Sequence, residues 1–155
     1  MIVMSRIDER LLHGQLVLAW LKYYPVDEAI VVDDESAHDP LKKMLLEMAV
    51  SGQVAVTVVD QEEALSAIEK AERKRVFLLA ADPSVFLHLL EKGIVIPSIN
   101  IGGIYGKPDR TQLYKTVFIT DQIKKDIIAL GQYSKVEHRV VPNDTSIDII
   151  ADLQK

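Results

Sequence analysis

The chain has 155 residues, 48% of them hydrophobic and 26% charged, the composition of a folded domain and not of a disordered or low-complexity chain. Its net charge of −5 excludes broad electrostatic attachment to nucleic acid or to an anionic membrane, so any anion site has to be local. With no cysteine, disulfides, thiolate metal sites and cysteine nucleophiles are excluded together.

No apolar run approaches the roughly 18 residues of a spanning helix, and the first residues enter a strand pattern directly. A single domain over 1–155 in the cytoplasm is expected. Short β-branched runs at 2–7, 29–33, 54–59, 75–81, 98–101, 116–119 and 136–141 alternate with helical periodicity. That alternation predicts an open, mainly parallel seven-stranded α/β sheet with helices on both faces.

The first strand runs into Arg6-Ile7-Asp8-Glu9-Arg10-Leu11-Leu12-His13-Gly14-Gln15, after which Leu16, Val17, Leu18 and Trp20 start a helix. This connection exceeds the roughly 2 to 6 residues usual between strand and helix. It sits at the carboxyl end of a parallel strand, where ligand sites of such sheets gather. Trp20, Tyr23 and Tyr24 close the helix as core-edge or interface aromatics, with core expected for all three.

After the second strand come Asp33, Asp34, Glu35 and Asp39, read as helix caps and partners of arginines in preference to a Mg²⁺ site. Leu41, Met44, Leu45 and Met48 follow at i, i+3, i+4 and i+7, which predicts a helix with these four in the core. Asp60 with Glu63 caps the next helix, and Asp82-Pro83 opens another that Gly93 should close. His88 in that helix and His138 in the last strand lack metal-like spacing and are read as structural or exposed.

Gly102-Gly103 introduces a polar, glycine-containing stretch at 102–113 that reads as a loop. It fails as a phosphate-binding P-loop, because Pro108 follows Lys107; Gly102 and Gly103 read as a turn that is either purely structural or lines a site with its amides from a neighbouring strand. Thr120 to Gly131 reads as a helix, and Asp144 or Thr145 is expected to cap the last one.

The first connection carries the chemistry. Neutral imidazole is a competent nucleophile near neutral pH, and a phosphoryl group on its ring nitrogen stays transferable, so His13 is the candidate phosphate acceptor. Arg10 and Arg6 are the candidate phosphoryl-neutralising cations, since the planar guanidinium matches phosphate oxygens. Asp8 would accept a ring proton or orient Arg10. Gly14 permits close backbone approach, and Gln15 lies at a helix start that favours anions. The same charges also fit a solvated ion-pair network, with Arg6 and Arg10 facing Asp8 and Glu9.

The run from Arg6 to Gln15 closely resembles the phosphorylation loop of the IIB components of the mannose, fructose and sorbose class of phosphotransferase systems. Val32-Asp33-Asp34-Glu35, Ala37-His38-Asp39, Ile99-Asn100-Ile101-Gly102-Gly103 and Val141-Pro142-Asn143-Asp144 extend the likeness over nearly the whole chain. The resemblance implies an α/β sheet with an antiparallel strand near one edge. It also implies a protein-N(pi)-phosphohistidine–sugar phosphotransferase that accepts phosphate on His13 from a IIA protein and gives it to a sugar entering through a IIC/IID permease. The implied catalytic set is His13, Arg10, Asp8 and Arg6, with Gly14, Gln15, Gly102 and Gly103 around the phosphate and no metal or cofactor. The family often has a neutral residue where this chain has His38, read here as a surface group at a helix start. A homo-oligomer is compatible with the sequence. A regulatory phosphate-accepting module of the same fold is the alternative function; a nucleotide-binding enzyme lacks the glycine fingerprint after the first strand.

Overall fold

The computed structural model describes residues 1–50, 52 and 54–155, the side chains of residues 15 and 16 excepted. Its elements in chain order are β1 (Ile2–Asp8), α1 (Gly14–Tyr23), β2 (Glu28–Val32), α2 (Asp34–Ala37), α3 (Pro40–Ala49), β3 (Ala55–Val59), α4 (Gln61–Lys70) and β4 (Val76–Ala80). There follow α5 (Pro83–Glu91), β5 (Ser98–Gly103), β6 (Thr111–Tyr114), β7 (Val117–Ile119), α6 (Asp121–Leu130), β8 (Lys135–His138) and α7 (Ile149–Leu153).

Six strands form one parallel sheet in the order β3-β2-β4-β1-β5-β8. Alternate residues of each strand feed two separate cores. Ile7, Ile30, Val32, Leu78 and Ala80 pack with Phe86 and Leu89 of α5 and Ile123 and Ile127 of α6. Met4, Ala29, Val31, Phe77 and Leu79 pack on the opposite face with Val17 and Trp20 of α1 and Leu46 of α3. β1 lies between β4 and β5, and the helix after β1 covers one face while those after β4 and β5 cover the other. The carboxyl end of β1 is therefore a switch point, where the connections diverge and leave a crevice.

The parallel α/β architecture stands, with corrections in detail. The predicted strand at 116–119 is not in the main sheet. As β7 it pairs antiparallel with β6, from Thr111↔Ile119 to Tyr114↔Val117, inside and just after the stretch read as a loop. Glycine and proline earlier in that stretch masked a four-residue strand whose side chains are exposed or half-buried. β8 ends at His138 rather than 141, because the backbone N–H groups of Val140 and Val141 bond the Asp144 carboxylate instead of a ladder partner. Asp148, not Asp144 or Thr145, caps α7.

The largest correction concerns α3. Leu41, Met44, Leu45 and Met48 do share a helix face, but that face is exposed at 60%, 48%, 56% and 61%. Leu46 and Val50 turn to the core instead. Periodicity identifies a face and not the direction in which it points. The expected caps elsewhere hold: Asp39 and Asp60 accept backbone N–H bonds at the starts of α3 and α4, and Asp82 and Thr120 do so at α5 and α6. No helix among the described residues is long and apolar enough to cross a membrane.

Candidate phosphoryl-transfer site

After β1 the chain turns sharply. The Leu11 N–H donates to the Asp8 carbonyl at 2.8 Å, and Leu11 takes the left-handed φ of 56°, which costs an L-residue about 1–2 kcal/mol. Burial of the Leu11 side chain in the α1 core offsets that strain. The turn sends Arg10 outward and brings His13 back over the end of β1. Gly14, at φ 42°, opens α1 in a conformation that suits glycine, and space beside it is open. The Gln15 side chain lies outside the described residues.

Asp8 is the centre of the constellation. Fully buried, it accepts from His13 Nε2 at 3.2 Å and Arg6 Nη2 at 3.2 Å through Oδ2, and from the Arg10 N–H at 3.0 Å and the Tyr105 hydroxyl at 3.3 Å through Oδ1. Arg10 Nε stands 3.7 Å from the same Oδ1. Burial alone would raise the Asp8 pKa, but the bonds from His13 and the Arg10 amide and the charge of Arg6 outweigh it and hold the carboxyl below its ordinary value. Asp8 thus remains an anion, able to fix the tautomer and tilt of the His13 ring.

The two arginines differ in kind. Arg10 is half exposed, its guanidinium 4.8 Å above the Tyr105 ring. Arg6 is 1% exposed and lies behind Asp8. Its Nη1 donates to Asn100 Oδ1 and, at 3.2 Å, to the Arg139 carbonyl, and its Cζ sits 5.2 Å from the Trp20 ring centroid. Arg139 Cζ is 5.1 Å from the same ring, so the buried indole is flanked by two guanidinium groups. Burial draws the Arg6 pKa down against the opposing pull of Asp8. The expectation that Arg6 meets the phosphate directly gives way to a supporting position, because the side chain is enclosed.

The two glycines lie at the end of β5 and not in a turn. A Cβ on Gly102 would stand 2.1 Å from Arg6 Cζ, and one on Gly103 would stand 2.3 Å from the Tyr105 hydroxyl oxygen. Both are buried, and both make room for side chains of the site. His38 is exposed and pairs with Asp60 at 3.0 Å, which agrees with a surface group. His88 is exposed and His138 is stacked on Tyr114 at 4.6 Å. The acidic residues after β2 cap helices and pair locally: Asp33 holds Ser36, and Glu35 pairs with Lys42.

Four contributors escaped the sequence reading. Tyr105 and Arg110 come from the supposed loop, and Glu137 and Arg139 from the last strand and the residue after it. Arg110 grips Glu9 with both Nη atoms, at 2.8 and 3.1 Å, tying the β5–β6 connection to the His13 loop. Glu137 accepts from Asn100 Nδ2 at 3.1 Å and from Arg139 Nη2 at 2.9 Å, extending the polar chain behind Arg6. For Arg110, Glu137 and Arg139 the only sequence signal was charge inside otherwise apolar or turn-forming stretches, and Tyr105 gave none.

The family model described as the PTS system sorbose subfamily IIB component matches residues 2–155. The chain belongs to that family. It is 33% identical to the fructose-specific EIIB component of Bacillus subtilis over 99% of this chain and 96% of the relative. It is 33% identical to the mannose-specific EIIAB component of Escherichia coli over 98% of this chain and 49% of that longer protein. Among solved structures, the IIBSor domain of the sorbose permease of Klebsiella pneumoniae superposes with a TM-score of 0.94 at 30% identity, covering 99% and 96% of the two chains. As a IIB component, the chain is a phosphotransferase-system protein of sugar uptake, and the site at the end of β1 is where its fold and its charged residues converge.

Proposed function

We propose that this IIB component is a phosphoryl carrier: His13 takes the phosphoryl group from a IIA protein and yields it to a sugar entering through a IIC/IID permease. The observation that carries this reading is the His13–Asp8 contact. With Nε2–H donated to an ionised Asp8, Nδ1 keeps its lone pair, and among the described residues none hydrogen-bonds it. Nδ1 attacks phosphorus, the Nδ1–P bond forms and the bond to the donor breaks. Asp8 then faces the positive charge that develops on the ring. In the later attack by a sugar hydroxyl the O–P bond forms, Nδ1–P breaks with its electron pair returning to Nδ1 to restore the neutral imidazole, and the hydroxyl proton is released to solvent.

Arg10 is the cation that meets the transferring group, since it is half exposed and its guanidinium keeps its charge. Arg6 acts from behind by holding Asp8. The N-terminus of α1 at Gly14 and Gln15 adds a local preference for an anion.

The test is labelling with radioactive phosphoenolpyruvate, the general phosphotransferases and a IIA protein. An acid-labile label is expected on wild type and not on His13→Ala; a label surviving that substitution would refute the assignment. Sugar phosphorylation that depends on this chain in permease-containing membranes is the expected second half.

A further inference from the structure

Tyr105 belongs to none of the expected sets, yet each of its parts is held at the site. Its ring lies under Arg10, with Cζ 4.8 Å from the centroid. Its hydroxyl donates to Asp8 Oδ1 at 3.3 Å. Its N–H donates to Glu9 Oε1 at 2.5 Å, and its carbonyl accepts from Arg110 Nη1 at 2.7 Å, while Arg110 grips Glu9 bidentately. Gly103 leaves the space that the hydroxyl end occupies.

We propose that Tyr105 is a positioning residue for phosphoryl transfer, holding the Arg10 guanidinium over the site through its ring face and steadying Asp8 through its hydroxyl. The proposal rests on the assignment of His13 as the carrier. The physical reason is preorganisation. A half-exposed arginine loses rotamer freedom when it is fixed, and a cation already ordered when the phosphoryl group arrives stabilises the transition state more than one that must first be gathered. An aromatic face suits this task because it attracts a guanidinium without cancelling its charge, as a second carboxylate would. Burial, followed by the charge of Asp8, raises the phenol pKa, which keeps the hydroxyl a donor near neutral pH.

The experiment measures single-turnover transfer from a radiolabelled, phosphorylated IIA protein to this chain over a range of donor concentrations. The variants are Tyr105→Phe and Tyr105→Leu, each in the wild-type and Arg10→Ala backgrounds, with melting curves to establish folding. Tyr105→Phe keeps the ring and should stay within about threefold of wild type. Tyr105→Leu should lower the maximal rate about tenfold, with the half-saturating donor concentration changed less than about twofold. In the Arg10→Ala background, Tyr105→Leu should have almost no further effect, because the two residues act as one unit. An unchanged rate in Tyr105→Leu, or equal factors in both backgrounds, would overturn the proposal. Should Tyr105→Leu not fold, Tyr105→Met is read by the same criteria. A label retained after His13→Ala would instead show that the carrier assignment had failed, so the two failures are distinguishable.

Discussion

Asp8 receives His13 and Arg6 on one oxygen, each at 3.2 Å, so the imidazole is oriented by a carboxylate that is itself held by a buried cation. Replacing Asp8 by Asn keeps the shape but breaks both relationships. Asp8→Asn should lower the rate of His13 labelling by about two orders of magnitude or more. It should also destabilise the fold by about 3–5 kcal/mol, because the enclosed Arg6 charge loses its counter-ion. Single-turnover labelling and denaturant unfolding measure the two effects.

The same carboxylate predicts an acid limb of stability. Its folded pKa lies below the unfolded value of about 3.9, so the unfolded chain takes up the proton first. The contribution is complete above about pH 4 and disappears as pH falls through the folded value. Asp27, which hydrogen bonds from Arg75 hold at about 2, acts in the same direction. Unfolding free energy followed between pH 6 and pH 2 should therefore fall less steeply in Asp8→Asn than in wild type, while the Asp27 part remains.

Gly102→Ala should damage the site without replacing a charged residue. The new Cβ would meet the Arg6 guanidinium, which has no room to retreat among Asp8, Asn100 and Trp20. An overpacking cost of about 1–3 kcal/mol is expected, together with slower labelling of His13. Equal stability and rate in the variant would show that Arg6 can move aside.

The Glu9–Arg110 pair should be worth about 1 kcal/mol, more than most surface pairs because it is bidentate and mostly shielded. Arg110→Gln should speed amide hydrogen exchange at Tyr105, whose N–H bonds Glu9. Arg110→Lys should not restore protection, since an ammonium cannot reproduce the fork.

The orientation of α3 can be checked by contrast. Met48→Ser, on the exposed face, should change stability by less than about 0.5 kcal/mol. Leu46→Ala, on the buried side, should cost about 2–4 kcal/mol in the same thermal or denaturant assay.

The strands of the main sheet were legible because they are apolar on both faces and bounded by capped helices. The His13 loop was legible because its length and charge have no structural necessity. What escaped detection depended on distance along the chain. Nothing local shows that Gly102 faces Arg6, that Tyr105 lies under Arg10, or that Arg110 reaches back to Glu9; those are contacts between residues about a hundred positions apart, set by the pairing of β1 with β5. The direction of the α3 stripe escaped for another reason. Leu46 and Val50 suffice to seat the helix, and the four residues at the more regular spacing are left outside.

Trp20 is the one tryptophan of the chain, and it stands in an unusual electrostatic setting. Its indole N–H donates to the Val140 carbonyl at 3.0 Å, and its ring lies beside the guanidinium of Arg6, which is bonded to Asp8 and through it to His13. Tryptophan fluorescence from this protein therefore comes from a single place, three contacts removed from the His13 ring. A change in how Asp8 is held alters the field across that ring, which makes the native chain its own optical probe of the Asp8–His13 contact.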